Sequence, residues 1–177
     1  MKGITLSVLV VFLSACSQSA SENGQALSEL IMPASEHAKL SKLEVVLVID
    51  DLADADRSVP ETFVKLLKRF GVRGAANFTY TWGDPNGYLL IDGNIHRFSS
   101  AETAVNNLLG DQSRLDAVNA VKLEGIGDAA ININDQSLSF VSGELKVTLT
   151  AIQKEIDLES VAHAYAGWLS GREGGAR

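Results

Sequence analysis

Residues 129–151 read AAININDQSLSFVSGELKVTLTA, and this stretch decides the fold because it encodes three consecutive short strands. Apolar and polar residues alternate over 129–134, 138–141 and 145–151. That period of two is typical of strands with one buried face. Short polar segments, DQ and then SGE, separate the three strands as turns. Strands joined by such short turns pair antiparallel, so the stretch predicts a meander.

A hairpin is predicted upstream, over residues 76–98. Apolar residues alternate with polar ones over 76–82. The tetrapeptide Asp84-Pro85-Asn86-Gly87 follows as a turn, because proline presets the second turn position and Asn or Gly tolerates positive φ. Residues 88–98 return as the second strand, in which Gly93 indicates a bulge.

Two more strands and three helices complete the chain. The apolar, β-branched run KLEVVLVI at 42–49 predicts a buried strand, and residues 118–123 predict a short edge strand. Capping patterns at Ser58 and Ser99 begin two helices, and a third helix begins near Asp157. In the first helix, Phe63 and Leu66 are predicted to face the core. We therefore predict an α+β fold: a mostly antiparallel sheet of about five or six strands, with about three helices packed on one of its faces.

The first residues have the three zones of a secretory signal. Met1 and Lys2 give a positive start, and an apolar run, ITLSVLVVFL, follows at 4–13. That run is too short to cross a bilayer as a helix, which takes about 20 residues. The segment then ends in Leu13-Ser14-Ala15-Cys16, which contains the only cysteine of the chain. This order of zones is typical of a segment that is removed on export.

The tetrapeptide ending in Cys16 resembles the lipobox of bacterial lipoproteins, and the resemblance covers about the first sixteen residues. It implies cleavage before Cys16, diacylglycerol on the thiol and, usually, acylation of the new amine. Several acyl chains together anchor a protein stably in a membrane. For a Gram-negative source, Ser17 implies sorting to the outer membrane, facing the periplasm. The alternatives are a chance cysteine after an ordinary signal, or an uncleaved anchor.

Composition and charge bound the function of the rest. We predict a signal peptide at 1–15, a lipidated N-terminus and flexible tether at 16–40, one domain at 41–171 and a frayed tail at 172–177. The chain has 22 acidic and 15 basic residues, and its formal net charge is −7. It lacks the basic patch that nucleic-acid binding needs, so we expect no nucleic-acid partner.

Two carboxylates, Asp50 and Asp51, follow the predicted strand at 42–49 and are the strongest candidates for catalysis. This strand end superficially resembles the opening motif of divergent polysaccharide deacetylases, which also use a histidine pair at helical spacing. The chain departs from that family, because His37, His96 and His163 are far apart in sequence. With Asp54 and Asp56 the carboxylates could also suggest a calcium loop, but the central glycine and terminal glutamate are missing. We expect no metal and no cofactor.

Four aromatic residues cluster on the predicted hairpin: Phe78, Tyr80, Trp82 and Tyr88. Such a cluster can hold a peptide or stack a sugar, and it can equally be core packing across strands. The leading hypothesis is a non-catalytic, lipid-anchored envelope protein that binds a protein or peptide on its sheet or sheet edge. The alternatives are a small-ligand-binding lipoprotein and an envelope-polymer hydrolase using Asp50 and Asp51. The sequence leaves the oligomeric state open.

Overall fold

The computed structural model describes residues 25–55 and 59–173. They form an α+β fold built on one antiparallel sheet, which confirms the predicted fold class. The sheet has seven strands where about five or six were expected, and four α-helices lie around it. The strands are β1 (Leu40–Ile49), β2 (Val72–Trp82), β3 (Leu90–Phe98), β4 (Ala120–Leu123), β5 (Ala129–Ile133), β6 (Ser137–Ser142) and β7 (Leu145–Thr150). The helices are α1 (Glu61–Arg69), α2 (Ala101–Leu109), α3 (Gln112–Ala117) and α4 (Leu158–Glu173).

The strand order is β1-β2-β3-β7-β6-β5-β4. After β3 the chain crosses to the far edge through α2 and α3, and the predicted meander then brings it back strand by strand. As a result β7 pairs antiparallel with β3, with Ile95 opposite Val147. The sheet centre is therefore made by two strands about 50 residues apart in sequence.

Helices pack on both faces of the sheet, not on one as expected. Phe140 and Val141 are neighbours on β6, so they point to opposite faces, yet both are fully buried. Phe140 belongs to a core that α4 covers through residues such as Tyr165. Val141 belongs to a second core, to which α1, α2 and α3 contribute. The prediction of one covered face was wrong. Alternation in the meander identifies its strands, but it does not exclude that helices also pack on the second face.

Strand β1 forms as predicted but is an edge strand rather than a buried one. Eight consecutive positions, 41–48, are exposed or half-buried. A run of β-branched apolar residues favours extended backbone whether or not it has neighbours on both sides. Its place at the sheet edge comes from the topology, which the run itself does not encode.

Helix α1 is rotated relative to its prediction. Leu67 is buried, whereas Leu66, which was predicted to face inward, is 49% exposed. The helix begins after Pro60 without a side-chain cap, and Ser58 lies outside the described residues. Helix α2 has a serine cap, as expected, but the capping residue is Ser100 rather than Ser99. The Ser100 hydroxyl accepts the Thr103 N–H at 3.2 Å.

Gly93 does not form the predicted bulge. It pairs in register with Phe78 on β2 and with Leu149 on β7. A Cβ at this position would lie 2.0 Å from the ring of Phe78. The glycine is needed because the Phe78 ring lies flat against the backbone of β3.

Residues from 25 onward pack against the rest of the domain. The sequence predicts a flexible tether up to residue 40, in which the apolar patch Leu27, Leu30 and Ile31 could form one helical turn against the domain. Leu27–Leu30 and Ala34–Glu36 form two 3₁₀ turns. We call residues 27–36 the N-terminal segment. Its side chains Leu27, Ile31 and Met32 are buried in the core beneath α4. At the other end α4 continues through Arg172, which donates to the carbonyl of Glu29 at 2.9 Å. The domain is therefore longer at both ends than 41–171.

Candidate functional site

The four aromatic residues of the predicted binding cluster do not form one surface. Phe78 and Tyr80 are fully buried, pack edge to face and belong to the core beneath α4. Trp82 is half-buried and stacks on His37. Tyr88 is 90% exposed in the turn before β3. Residues 78, 80 and 82 alternate toward the same covered face, which is why they pack in or beside the core.

The carboxylates of Asp50 and Asp51 bind backbone amides. Asp50 accepts the Leu27 N–H at 2.5 Å, and Asp51 accepts the Ala53 N–H at 2.7 Å. His96 lies in a pocket that neither aspartate lines. Asp56, the last member of the calcium-loop pattern, lies outside the described residues. Within 25–55 and 59–173 no three acidic, histidine or cysteine side chains come together as a metal site.

The second face of the sheet stays open where α1, α2 and α3 do not reach. A shallow groove of about 350 Å³ lies there, between β1, β2 and the turn that joins β2 to β3. We call it the open sheet corner; it is lined by Lys42, Glu44, Val46, Thr79, Thr81, Pro85, Asn86, Gly87 and Leu90. Thr79 donates to Asp92 at 3.2 Å, and Lys42 pairs loosely with Glu44 at 3.7 Å. The corner is polar with two apolar side chains, Val46 and Leu90, exposed in it.

The open sheet corner borders the free edge of the sheet. Because β1 is first in the strand order, no strand of the described chain pairs with its outer side. Val45 pairs with Phe78 and Leu47 with Asn77, which leaves Val46 between them without a partner on β2. Val46 is 67% exposed. The edge therefore offers unpaired main-chain groups and exposed valines to an incoming strand.

A second site lies on the same face under the helices, and we call it the basic pocket. It measures about 150 Å³ and is lined by Leu67, Phe70, Val72, His96, Asn107, Arg114 and Lys146. The ammonium of Lys146 donates to the side-chain oxygen of Asn107 at 2.6 Å and lies 5.8 Å from the centre of the Phe98 ring. Arg114 donates to the carbonyls of Asn107 and Leu108, both at 3.1 Å. Three basic side chains thus meet at a pocket that none of the described acidic residues lines.

Comparison of this chain with protein-family models, with curated proteins and with solved structures found no match.

The protonation state of the basic pocket follows from burial and from like charges. Burial, with a smaller contribution from the charge of Lys146, lowers the pKa of His96 to about 4. Burial, and then the nearby charge of Arg114, lowers the pKa of Lys146 below its usual range. His96 is therefore neutral at pH 7 and can donate one ring N–H or accept through its other nitrogen.

Sequence reasoning did not find the basic pocket. Lys146 stands at a polar position of an alternating strand and so is expected in solvent. It is covered because α2 and the short helix α3, a mostly polar stretch of sequence, lie over it. Within β7, Lys146 stands out only as the one charged residue.

None of the helices within 25–55 and 59–173 is long and apolar enough to cross a membrane. The lipobox, including Cys16, lies outside the described residues, so lipidation stays a prediction from the sequence.

Proposed function

We propose that this protein is a lipid-anchored envelope protein whose domain binds, without catalysis, an extended segment of a protein partner along β1. The observation that carries the proposal is the free outer edge of this ten-residue strand beside the open sheet corner. An extended peptide can add to such an edge through main-chain hydrogen bonds, while alternate side chains supply specificity.

The surface on both sides of the edge suits a partly apolar segment. Val45 and Val46 are both exposed. Val45 pairs with Phe78 and so lies on the face that α4 covers, whereas Val46, at an irregularity of the register, lines the open sheet corner on the other face. A strand added to β1 would therefore cover apolar surface on each face. On the side of Val46, the groove between β1 and the β2–β3 turn can receive side chains of the bound segment.

The predicted anchor limits where the partner can be. Eleven residue-to-residue steps separate Cys16 from Leu27, where the domain is already folded. Fully extended, they span at most about 40 Å at ~3.6 Å per residue. With acyl chains on Cys16, the domain reaches partners close to the membrane surface, which favours another envelope protein.

Matched charge substitutions at the two sheet edges test the proposal. Val46→Lys places a charge on the proposed binding edge, and Val121→Lys does the same on the opposite edge strand, β4, where Val121 is similarly exposed at 60%. Each variant is expressed as the full, exported chain in a deletion strain. We expect Val121→Lys to restore the cellular role and Val46→Lys to fail, with the two proteins equally stable.

A photo-crosslinking amino acid at position 46 or 121 identifies the bound molecule. We expect one defined envelope protein to be crosslinked from position 46 and not from 121, and a synthetic peptide of the crosslinked segment to bind the domain. Equal behaviour of the two lysine variants, or crosslinking only to a second copy of this chain, would contradict the proposal.

A further inference from the structure

The basic pocket places positive charge where the fold gives it no negative partner. Lys146 is half-buried, and its ammonium hydrogen-bonds to a neutral amide, that of Asn107. Burying a charged group is costly unless an opposite charge compensates it. The chain as a whole is acidic, with 22 carboxylate side chains, yet none of the described ones lines this pocket. The local excess of positive charge is therefore opposite to the balance of the whole molecule.

The polar side chains that line the pocket can all donate hydrogen bonds, and each comes from a different helix or strand. Lys146 comes from β7, Arg114 from α3, Asn107 from α2 and His96 from β3. The Asn107 oxygen already accepts from Lys146, so its amide group retains N–H donors. In Arg114, Nη2 donates both of the side-chain hydrogen bonds, to the carbonyls of Asn107 and Leu108. The other guanidinium nitrogens of Arg114 have no partner among the described residues. Three of the four side chains can thus donate toward the pocket, and neutral His96 can add one more N–H.

The dimensions of the pocket limit the ligand. Lys146, Arg114 and Asn107 line this cavity of about 150 Å³ and a second one of about 200 Å³, and each is smaller than the ~300–1,000 Å³ typical of pockets for larger organic ligands. The apolar side chains Leu67, Phe70 and Val72 also line the pocket. A compact oxyanion fits both the volume and the set of donors, since guanidinium and ammonium groups bind such oxygens by charge-assisted hydrogen bonds.

From this geometry we propose that the basic pocket binds a small oxyanion, of the size of phosphate, through Lys146, Arg114 and Asn107. The anion supplies the negative charge that the fold omits. Binding ties α2 and α3 to β7, because the three donors stand on those three elements. The site is separate from the edge of β1, so it does not depend on the partner proposed there.

Two variants and one control test the site in the intact domain, residues 17–177. Lys146→Met removes the buried charge and keeps a long apolar side chain. Arg114→Gln removes the second charge at an exposed position, so that folding is retained even where Lys146→Met fails to fold. Lys122→Met, on the exposed strand β4, is the matched control for the loss of one lysine charge. Binding of inorganic phosphate, sulfate and acetate is measured by calorimetry and by the shift of the melting temperature, at constant ionic strength.

We expect saturable binding of phosphate or sulfate by the wild-type domain and by Lys122→Met. The dissociation constant should rise at least tenfold in Arg114→Gln and in any folded Lys146→Met. Vesicles with and without an anionic phospholipid separate a free anion from a lipid headgroup. The proposal is overturned by the same weak, non-saturable effect in all variants, by an effect that sodium chloride reproduces, or by binding to anionic vesicles without binding of any free anion.

Discussion

At the scale of single residues, two buried tyrosines hold the N-terminal segment to the domain. The hydroxyl of Tyr80, on β2, donates to the carbonyl of Met32 at 2.5 Å. The hydroxyl of Tyr165, on α4, donates to the carbonyl of Leu30 at 2.8 Å. Burial raises the pKa of both tyrosines above the usual range, so their hydroxyls stay protonated and can donate at neutral pH. Their role is to satisfy backbone carbonyls of a segment that has few hydrogen bonds of its own.

Removing either hydroxyl should destabilise the protein without changing the shape of its core. Tyr80→Phe or Tyr165→Phe leaves a buried carbonyl without its donor, which costs about 1–3 kcal/mol. Tyr88→Phe, at a position that is 90% exposed, is the matched control and should leave stability unchanged. Urea denaturation followed by tryptophan fluorescence measures the three free energies of unfolding. Equal stability of all three variants would show that the N-terminal segment is not held by these bonds.

His96 should make the protein sensitive to mild acid. Its pKa in the folded state is about 4, below its value of 6.5 as a free side chain. As pH falls through 6.5 the unfolded chain takes up a proton that the folded chain refuses until about pH 4. Stability is therefore lost between pH 6.5 and 4, by on the order of 3 kcal/mol. Above pH 6.5 and below pH 4, His96 causes no further change in the free energy of unfolding.

The prediction is checked by comparing wild type with His96→Gln at pH 7 and at pH 4.5. Other titrating groups contribute to both proteins, so the difference between their pH dependences isolates His96. We expect the wild type to lose more stability on acidification than His96→Gln does. Parallel losses in the two proteins would mean that His96 reaches solvent well enough to be protonated in the folded state.

At the scale of elements, α1 shows how one rotation of a helix changes which leucine matters. Leu67 faces the core of the second sheet face, and Leu66 is half-exposed. In the sequence, both residues belong to one apolar stripe with Phe63 and Phe70. This stripe is wider than the part of the helix surface that packs against the sheet. Which part of the stripe is buried depends on how the helix docks on the sheet.

Neighbouring alanine substitutions in α1 test this orientation. Leu67→Ala should cost about 2–5 kcal/mol, the range for a truncated buried leucine. Leu66→Ala should cost no more than the ~1 kcal/mol typical of point mutations. The two variants have identical composition, so differences in helix propensity cancel when their melting curves are compared. The reverse ranking would support the orientation expected from sequence.

At the scale of the whole molecule, we expect the domain to fold independently of the predicted lipid anchor. The first described residue, Gln25, lies nine positions after Cys16, and its carbonyl accepts a hydrogen bond from Arg97 on β3. Together with the hydrogen bond from the Leu27 N–H to Asp50, this contact holds the first described residues to the rest of the domain. Loss of the anchor should therefore change the location of the protein and leave its fold intact.

Cys16→Ala tests the anchor. The only thiol of the chain is lost, so lipid labelling and cleavage before residue 16 should both disappear. Ser19→Ala, outside the tetrapeptide that resembles a lipobox, is the control and should be labelled like the wild type. Labelling with a radioactive fatty acid and electrophoresis of envelope fractions give the answer. Labelled lipid still attached to the Cys16→Ala protein would exclude the lipoprotein interpretation.

Much of the architecture could be predicted because its signals are local. The alternation in β5, β6 and β7 and the turns between them lie within a few residues of one another, and so does the hairpin of β2 and β3. Capping residues and apolar spacing placed α2 and α4 within a residue or two. The α+β class and the antiparallel sheet follow from these short connections.

Only the tertiary structure decided what each of these elements meets. The ten-residue strand β1 lies at the edge because the last strand of the meander, β7, pairs with β3 and not with β1. About 50 residues of chain separate β3 from β7. Phe78 and Tyr80 are in the core because α4 and the N-terminal segment cover that face, and Lys146 is half-buried because α2 and α3 cover the other. The physical reason is that backbone conformation depends on nearby residues, whereas burial, and with it the charge state and accessibility of a site, depends on contacts between residues far apart in the chain.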